Sequence, residues 1–132
     1  MDKPRQHFTI TRERRRDDST DRVRIRLVLA GEFDLAARDA FEGALASALR
    51  AGDVEVDMAG VSFLDCSGIG VLTRGLRQAW RDGRGLRVVN ADGSVRHMLE
   101  LTGVAQELIV LSSAQQPATA LQRRAKANGR VH

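Results

Sequence analysis

The hydrophobic period changes repeatedly along this chain, and that alternation limits the folds open to it. In "VRIRLVL", Val23, Ile25, Leu27 and Leu29 share one face, and a period of two predicts a half-buried strand. After "AGEFD" the spacing lengthens. Leu35, Phe41, Leu45, Ala48 and Leu49 recur at three- and four-residue steps, which predicts an amphipathic helix capped by Asp34 and ending near Gly52. Val54 to Met58 ("VEVDM") predicts a strand again. Ile69, Leu72, Leu76 and Ala79 or Trp80 mark the buried stripe of a second helix, closed by "DGRG".

Two short apolar segments, Leu86 to Val89 and Leu108 to Leu111, predict the last strands. Between them Asp92 or Ser94 opens a third helix that carries Val95, Met98 and Leu99 and has Gly103 at its C-cap position. Upstream, Phe8 to Thr11 alternates as a strand, and the charged "RERRRDDSTD" that follows is expected to be a long hairpin loop. The order is strand, strand, helix, strand, helix, strand, helix, strand. It predicts an α/β fold with right-handed crossovers after the first hairpin, built on a central mixed, mainly parallel sheet of about five strands with three to four helices.

A chain of 132 residues suits one domain with a sizeable core. Residues 1–112 are expected to form it, leaving 113–132 as a basic tail, a short helix or disordered. The sequence shows no apolar run of the ~18–20 residues that cross a membrane and no apolar leader segment near its start, so a cytoplasmic protein without membrane insertion is expected. One cysteine cannot form an internal disulfide, and His7, His97 and His132 are too scattered for a zinc site.

The pI near 10.5 suggests nucleic acid, but the charge is unevenly placed. Residues 1–30 hold nine Arg or Lys against five acids, residues 31–111 eight against twelve, and residues 112–132 four against none. The body is acidic, whereas a nucleic-acid-binding domain carries its positive charge on the folded body. With four Phe, one Trp and no Tyr, stacking platforms are also scarce. No direct nucleic-acid partner is expected.

The chemistry-bearing stretch is "VSFLDCSGIGVLTRG", where a strand meets a helix through Asp65, Cys66, Ser67 and Gly68. Together with "GEFD" (31–34) and "LTGV" (101–104), it resembles the STAS domain family, particularly the small bacterial anti-sigma factor antagonists. The resemblance runs over roughly residues 6–112, and its most specific part is a strand, an F-x-D-[ST]-[ST]-G turn and a helix. It implies the STAS fold and a function in partner switching. The antagonist binds an anti-sigma factor that is also a serine kinase, the kinase phosphorylates the antagonist at the helix start, the complex separates, and a phosphatase resets it.

A helix start has unpaired N–H groups and partial positive charge, so it can host a phosphate. The added charge of about −1.5 to −2 would stand beside Asp65 and Asp34. Each like-charge pair at ~4 Å costs on the order of 4 kcal/mol at an effective dielectric of ~20. This chain departs from the family pattern at the decisive position, because the residue after the Asp is Cys66. A thiol is not a substrate for a hydroxyl kinase. Either Ser67, turned about 100° around the helix, accepts the phosphate, or the protein binds its partner without that switch. The binding surface implied by the resemblance comprises Gly31, Glu32, Asp34, Asp65, Cys66, Ser67 and Gly68, with Thr73, Arg74 and Arg77 on the exposed side of the following helix.

Simpler roles exist for the same residues. Asp34 and Asp65 serve as N-caps worth about 1 kcal/mol each, Gly68 and Gly70 allow close packing, and Cys66 acts as a small packing residue. No catalytic constellation, metal motif or phosphate-cradling glycine loop is present, so no enzyme activity, cofactor or metal is expected. Two other classes remain as alternatives: a rhodanese-like thiol enzyme using Cys66, and a STAS adaptor subunit of a membrane transport assembly.

Overall fold

A computed structural model describes residues 7–103 and 109–111. Its elements are β1 (Phe8–Asp17), β2 (Arg22–Phe33), a 3-10 turn (Leu35–Ala37), α1 (Arg38–Ala51), β3 (Asp53–Leu64), α2 (Cys66–Asp82), β4 (Leu86–Val89), α3 (Gly93–Leu101) and β5 (Ile109–Leu111). The five strands form one sheet in sequence order. β1 runs antiparallel to β2, and the three other pairings are parallel. The expected mixed, mainly parallel α/β sheet is therefore present, with three helices among the described residues. Residue 108 and the tail from 112 lie outside the described residues.

Because each crossover steps to the next strand in the same direction, right-handed connections place the three helices on one face of the sheet. That face carries Ile25, Leu27 and Leu29 from β2, Val54, Val56 and Met58 from β3, and Leu86 and Val88 from β4. These join Phe41, Leu45 and Leu49 of α1, Leu72 and Leu76 of α2, and Val95 and Leu99 of α3 in one buried cluster. Each such side chain contributes about 1.5–3 kcal/mol relative to exposure. The helices α1 and α2 touch closely enough that a Cβ on Gly75 would collide with the Leu45 side chain.

The other face of the sheet is polar. Glu13, Arg26, Glu55 and Arg87 form a row of alternating charge across four strands, each residue opposite the next. Arg87 reaches Glu55 through Nε (3.0 Å) and Nη2 (2.6 Å). Asp57, 5% exposed, accepts from the Arg26 guanidinium, from Ala59 N–H (2.9 Å) and from Asn90 Nδ2 (3.1 Å). Burial pushes the Asp57 carboxyl up, but these three donors together hold it below the ordinary carboxylate value.

The charged run "RERRR" is strand, not loop: β1 continues to Asp17, and only residues 18–21 make the turn. Propensity misleads here because β1 is the edge strand, where exposed arginines cost little and discourage pairing with another chain. The strands β2 and β3 are also longer than expected. Asp34 caps the 3-10 turn and not α1 itself, and Leu35 is consequently 64% exposed instead of lying in the core stripe. Of the pair Ala79 or Trp80, Ala79 is buried and Trp80 is 62% exposed. The third helix opens at Asp92, and Gly103 just beyond it has φ +81°.

Candidate functional site

Two irregularities in the β2–β3 pairing build the site. The register runs Val28 to Asp57 and then Ala30 to Gly60, and later Gly31 to Val61 and then Glu32 to Phe63. Each step gives β3 one extra residue, a bulge that bends the strand and resets which side chains face inward. The Asp57 carboxylate secures the first by accepting from Ala59 N–H. After the second, Phe33 and Leu64 point into the core together, while Glu32 and Phe63 point outward together. Gly31 is fixed at φ +98°, and a Cβ there would strike the His7 carbonyl. Only glycine tolerates both conditions.

The neighbouring strands then end in the same way. Asp34 (φ −107°, ψ −164°) accepts from Ala36 N–H at 3.0 Å, and Asp65 (φ −111°, ψ −169°) accepts from Ser67 N–H at 2.8 Å. Each carboxylate satisfies a helix-start N–H that the helix itself leaves unpaired. Asp65 N–H also reaches Phe33 O at 3.4 Å, so the two corners are tied together. Beneath them Phe33 packs between Phe8 and Phe41, with ring centroids 5.5 Å apart in both pairs. A Cβ on Gly68 would collide with Leu64, so the α2 start sits tightly against β3.

The displayed surface follows from that packing. Cys66 is exposed and Ser67 half-buried. Leu35 and Phe63, 64% and 47% exposed, flank the two corners. Phe63 escaped sequence reasoning, because an aromatic in an apolar strand reads as core unless the bulge is known. Among the described residues Glu32, Asp34, Asp39, Asp65 and Asp92 stand at strand ends or helix starts on this rim, with Arg38 beside Asp39.

Along α2 the expected surface residues separate. Arg77 is exposed. Thr73 donates through its hydroxyl to the Ile69 carbonyl, 2.9 Å. Arg74 is bound across the helix pair by Glu42, with Nε and Nη2 each 2.9 Å from a carboxylate oxygen. Those hydrogen bonds hold Glu42 below, and Arg74 above, their ordinary values. Among the described residues no group of three or more His, Cys, Asp or Glu could hold a metal ion, and no helix is long and apolar enough to cross a membrane.

The sheet thus carries its helices on one face and, at the carboxyl ends of its parallel strands, presents two acid-capped helix starts with exposed apolar side chains beside them. A family model described as "Mlab, STAS domain" matches residues 17–112, and the chain belongs to the STAS domain family.

Solved structures agree on the fold. An anti-sigma factor antagonist from Mycobacterium paratuberculosis is 20% identical, with 87% of this chain and 93% of that chain covered and a TM-score of 0.67. The anti-sigma factor antagonist SpoIIAA in its unphosphorylated form is 17% identical over 95% of this chain and 99% of that one, TM-score 0.63. A sulfate transporter family protein from Wolinella succinogenes is 18% identical over 72% and 82%, TM-score 0.60. No curated protein matches the chain in sequence.

Proposed function

We propose that this protein works by binding, as an anti-sigma factor antagonist whose partner docks on the paired corners. The observation that carries the reading is the exposure of Leu35 and Phe63 on either side of the Asp34 and Asp65 caps. Exposed apolar side chains held on a rigid, acid-rimmed corner offer a partner surface to bury, with the aromatic Phe63 the stronger anchor. The complementary surface is an apolar socket edged by Arg or Lys, offered by an anti-sigma factor of the serine-kinase type. Gly31, Glu32, Asp34, Asp65, Cys66, Ser67 and Gly68 form or support the contact, and Arg77 extends it along α2. Thr73 and Arg74 lie beside it, their polar groups already engaged within the chain.

Ser67 is the hydroxyl available to a kinase, since Cys66 occupies the preceding position. A phosphate on Ser67 would add charge beside Asp65 in a contact that must lose water, which opposes docking. Without that reaction the complex persists. The working location is the cytoplasm, and a phosphatase completes the cycle.

Affinity capture from the native cell with the full chain, alongside a Phe63→Asp variant, tests the reading. Recovery of a kinase-like anti-sigma protein by the native chain and its loss with the variant supports it. A second reading is favoured by the similarity in fold to the sulfate transporter family protein: an adaptor subunit of a membrane transport assembly. Recovery of a transporter ATPase would select that one. For the switch, incubation with the captured kinase and ATP should raise the mass of the native protein but not of Ser67→Ala; an unchanged mass in both removes Ser67 as acceptor.

A further inference from the structure

On the polar face of the sheet Asp57 is 5% exposed, and its two carboxylate oxygens serve different partners. Oδ2 accepts from the Arg26 guanidinium. Oδ1 accepts from Ala59 N–H at 2.9 Å and from Asn90 Nδ2 at 3.1 Å. The ion pair is the less complete of the two arrangements. Arg26 Nε is buried without a hydrogen-bond partner among the described residues and stands 3.6 Å from Glu55 Oε2. A buried pair of charges returns little net stability, so stability alone does not account for a carboxylate here.

The Oδ1 partners act on the path of the chain. Val54, Val56 and Met58 enter the core at steps of two, then Val61 and Leu64 at steps of three. Ala59 and Gly60, both exposed, make the first long step, and Oδ1 takes the N–H of Ala59, a residue with no partner in the β2 register. Between Asp57 and Leu64, β3 spends two more residues than β2 spends between Val28 and Phe33. Both are needed to bring Leu64 level with Phe33 and Asp65 N–H onto the Phe33 carbonyl. Losing the first alone would slip the strand by one residue and exchange its faces, turning Phe63 inward. Asn90 approaches the same oxygen from β4. It follows Val89, which stands opposite Asp57, and holds φ +61°, a left-handed conformation that asparagine tolerates better than most residues.

We propose that Asp57 is the positioning residue of the paired corners, with Asn90 as its support. Oδ1 fixes the first bulge, and the bulge sets the outward display of Phe63 and the level of Asp65 and Ser67. The Arg26 contact, made through Oδ2, neutralises the buried charge and does not direct the bulge. The role in binding rests on the reading of those corners as the docking surface.

Amide NMR and hydrogen exchange of the full chain test this without a partner. Removing one member of a buried ion pair risks unfolding, so Asp57→Ala is made together with Arg26→Met, and Arg26→Met alone is the control. The double variant should move the amides of Val61 to Gly68 and speed exchange at Asp65 by about tenfold or more, while the control should leave both as in the native chain. Asp57→Asn keeps an oxygen for Ala59 N–H and should also preserve the corners. Asn90→Gly keeps the left-handed backbone but loses the side-chain donor, and it should shift the same amides even if the double variant does not fold. Amides of Val61 to Gly68 unmoved in the double variant, or moved equally by Arg26→Met, overturn the proposal. A captured anti-sigma partner should bind the double variant about tenfold more weakly. Native affinity in a variant whose corner amides have moved would uphold the positioning role and refute the docking reading.

Discussion

The two ends of the sheet are built from similar residues and offer opposite chemistry. At the carboxyl ends of the parallel strands, aspartates cap helix starts and leave Leu35 and Phe63 in water. At the other end, aspartates tie turns together and leave arginines lining a cleft. In both places the acid accepts from backbone N–H groups, and at the second end from Arg22 and the Ser19 hydroxyl as well, so the neighbours decide what is displayed. An aspartate's position in the sequence says little about whether it is a ligand group or a brace. Its hydrogen bonds decide.

The contrast can be broken most severely at Gly31. Replacing it with Ala forces a side chain into φ +98° against the His7 carbonyl and should cost about 2–3 kcal/mol in denaturant unfolding. The corner would be lost while the cleft residues stay untouched. Phe63→Asp should leave the fold intact and weaken partner binding by roughly 30-fold, about 2 kcal/mol. Arg24→Ala, at the other end, should leave that affinity unchanged. Calorimetry with the captured partner compares the two variants directly.

A third test addresses the brace between the ends. Asp57 has its carboxyl lowered on folding, so its contribution is fully present above the unfolded carboxylate value of about 3.9. It is lost as pH falls below that value through the folded one. Stability measured from pH 6 down to pH 2 should drop in that window, and Asp57→Asn should flatten part of the slope. Asp65→Ala removes a cap and should cost about 1 kcal/mol, read as a small fall in melting temperature. The smallest effect belongs to Glu42→Gln, which loosens the exposed Arg74 pair and should cost under about 1 kcal/mol.

The periodic parts of the fold were legible in the sequence because burial imposes the period. The stripe of Phe41, Leu45, Ala48 and Leu49 is buried as its spacing requires, and the caps at Asp34 and Asp65 sit where short polar residues precede helices. What could not be read depends on residues distant in sequence. The β1 extension through "RERRR" is imposed by pairing with β2. The exposure of Phe63 comes from a register shift against Glu32, and that of Leu35 from a 3-10 turn ahead of α1. The cleft joins residues 17–24, 53 and 83–85, a set with no shared motif.

The most direct measurement is backbone-amide NMR of the labelled protein titrated with its captured partner. Docking on the paired corners is expected to shift the amides of Glu32 to Leu35 and of Phe63 to Gly68 while leaving Gly83 to Gly85 in place. Shifts confined to Gly83 to Gly85, with the corner amides unmoved, would contradict the account.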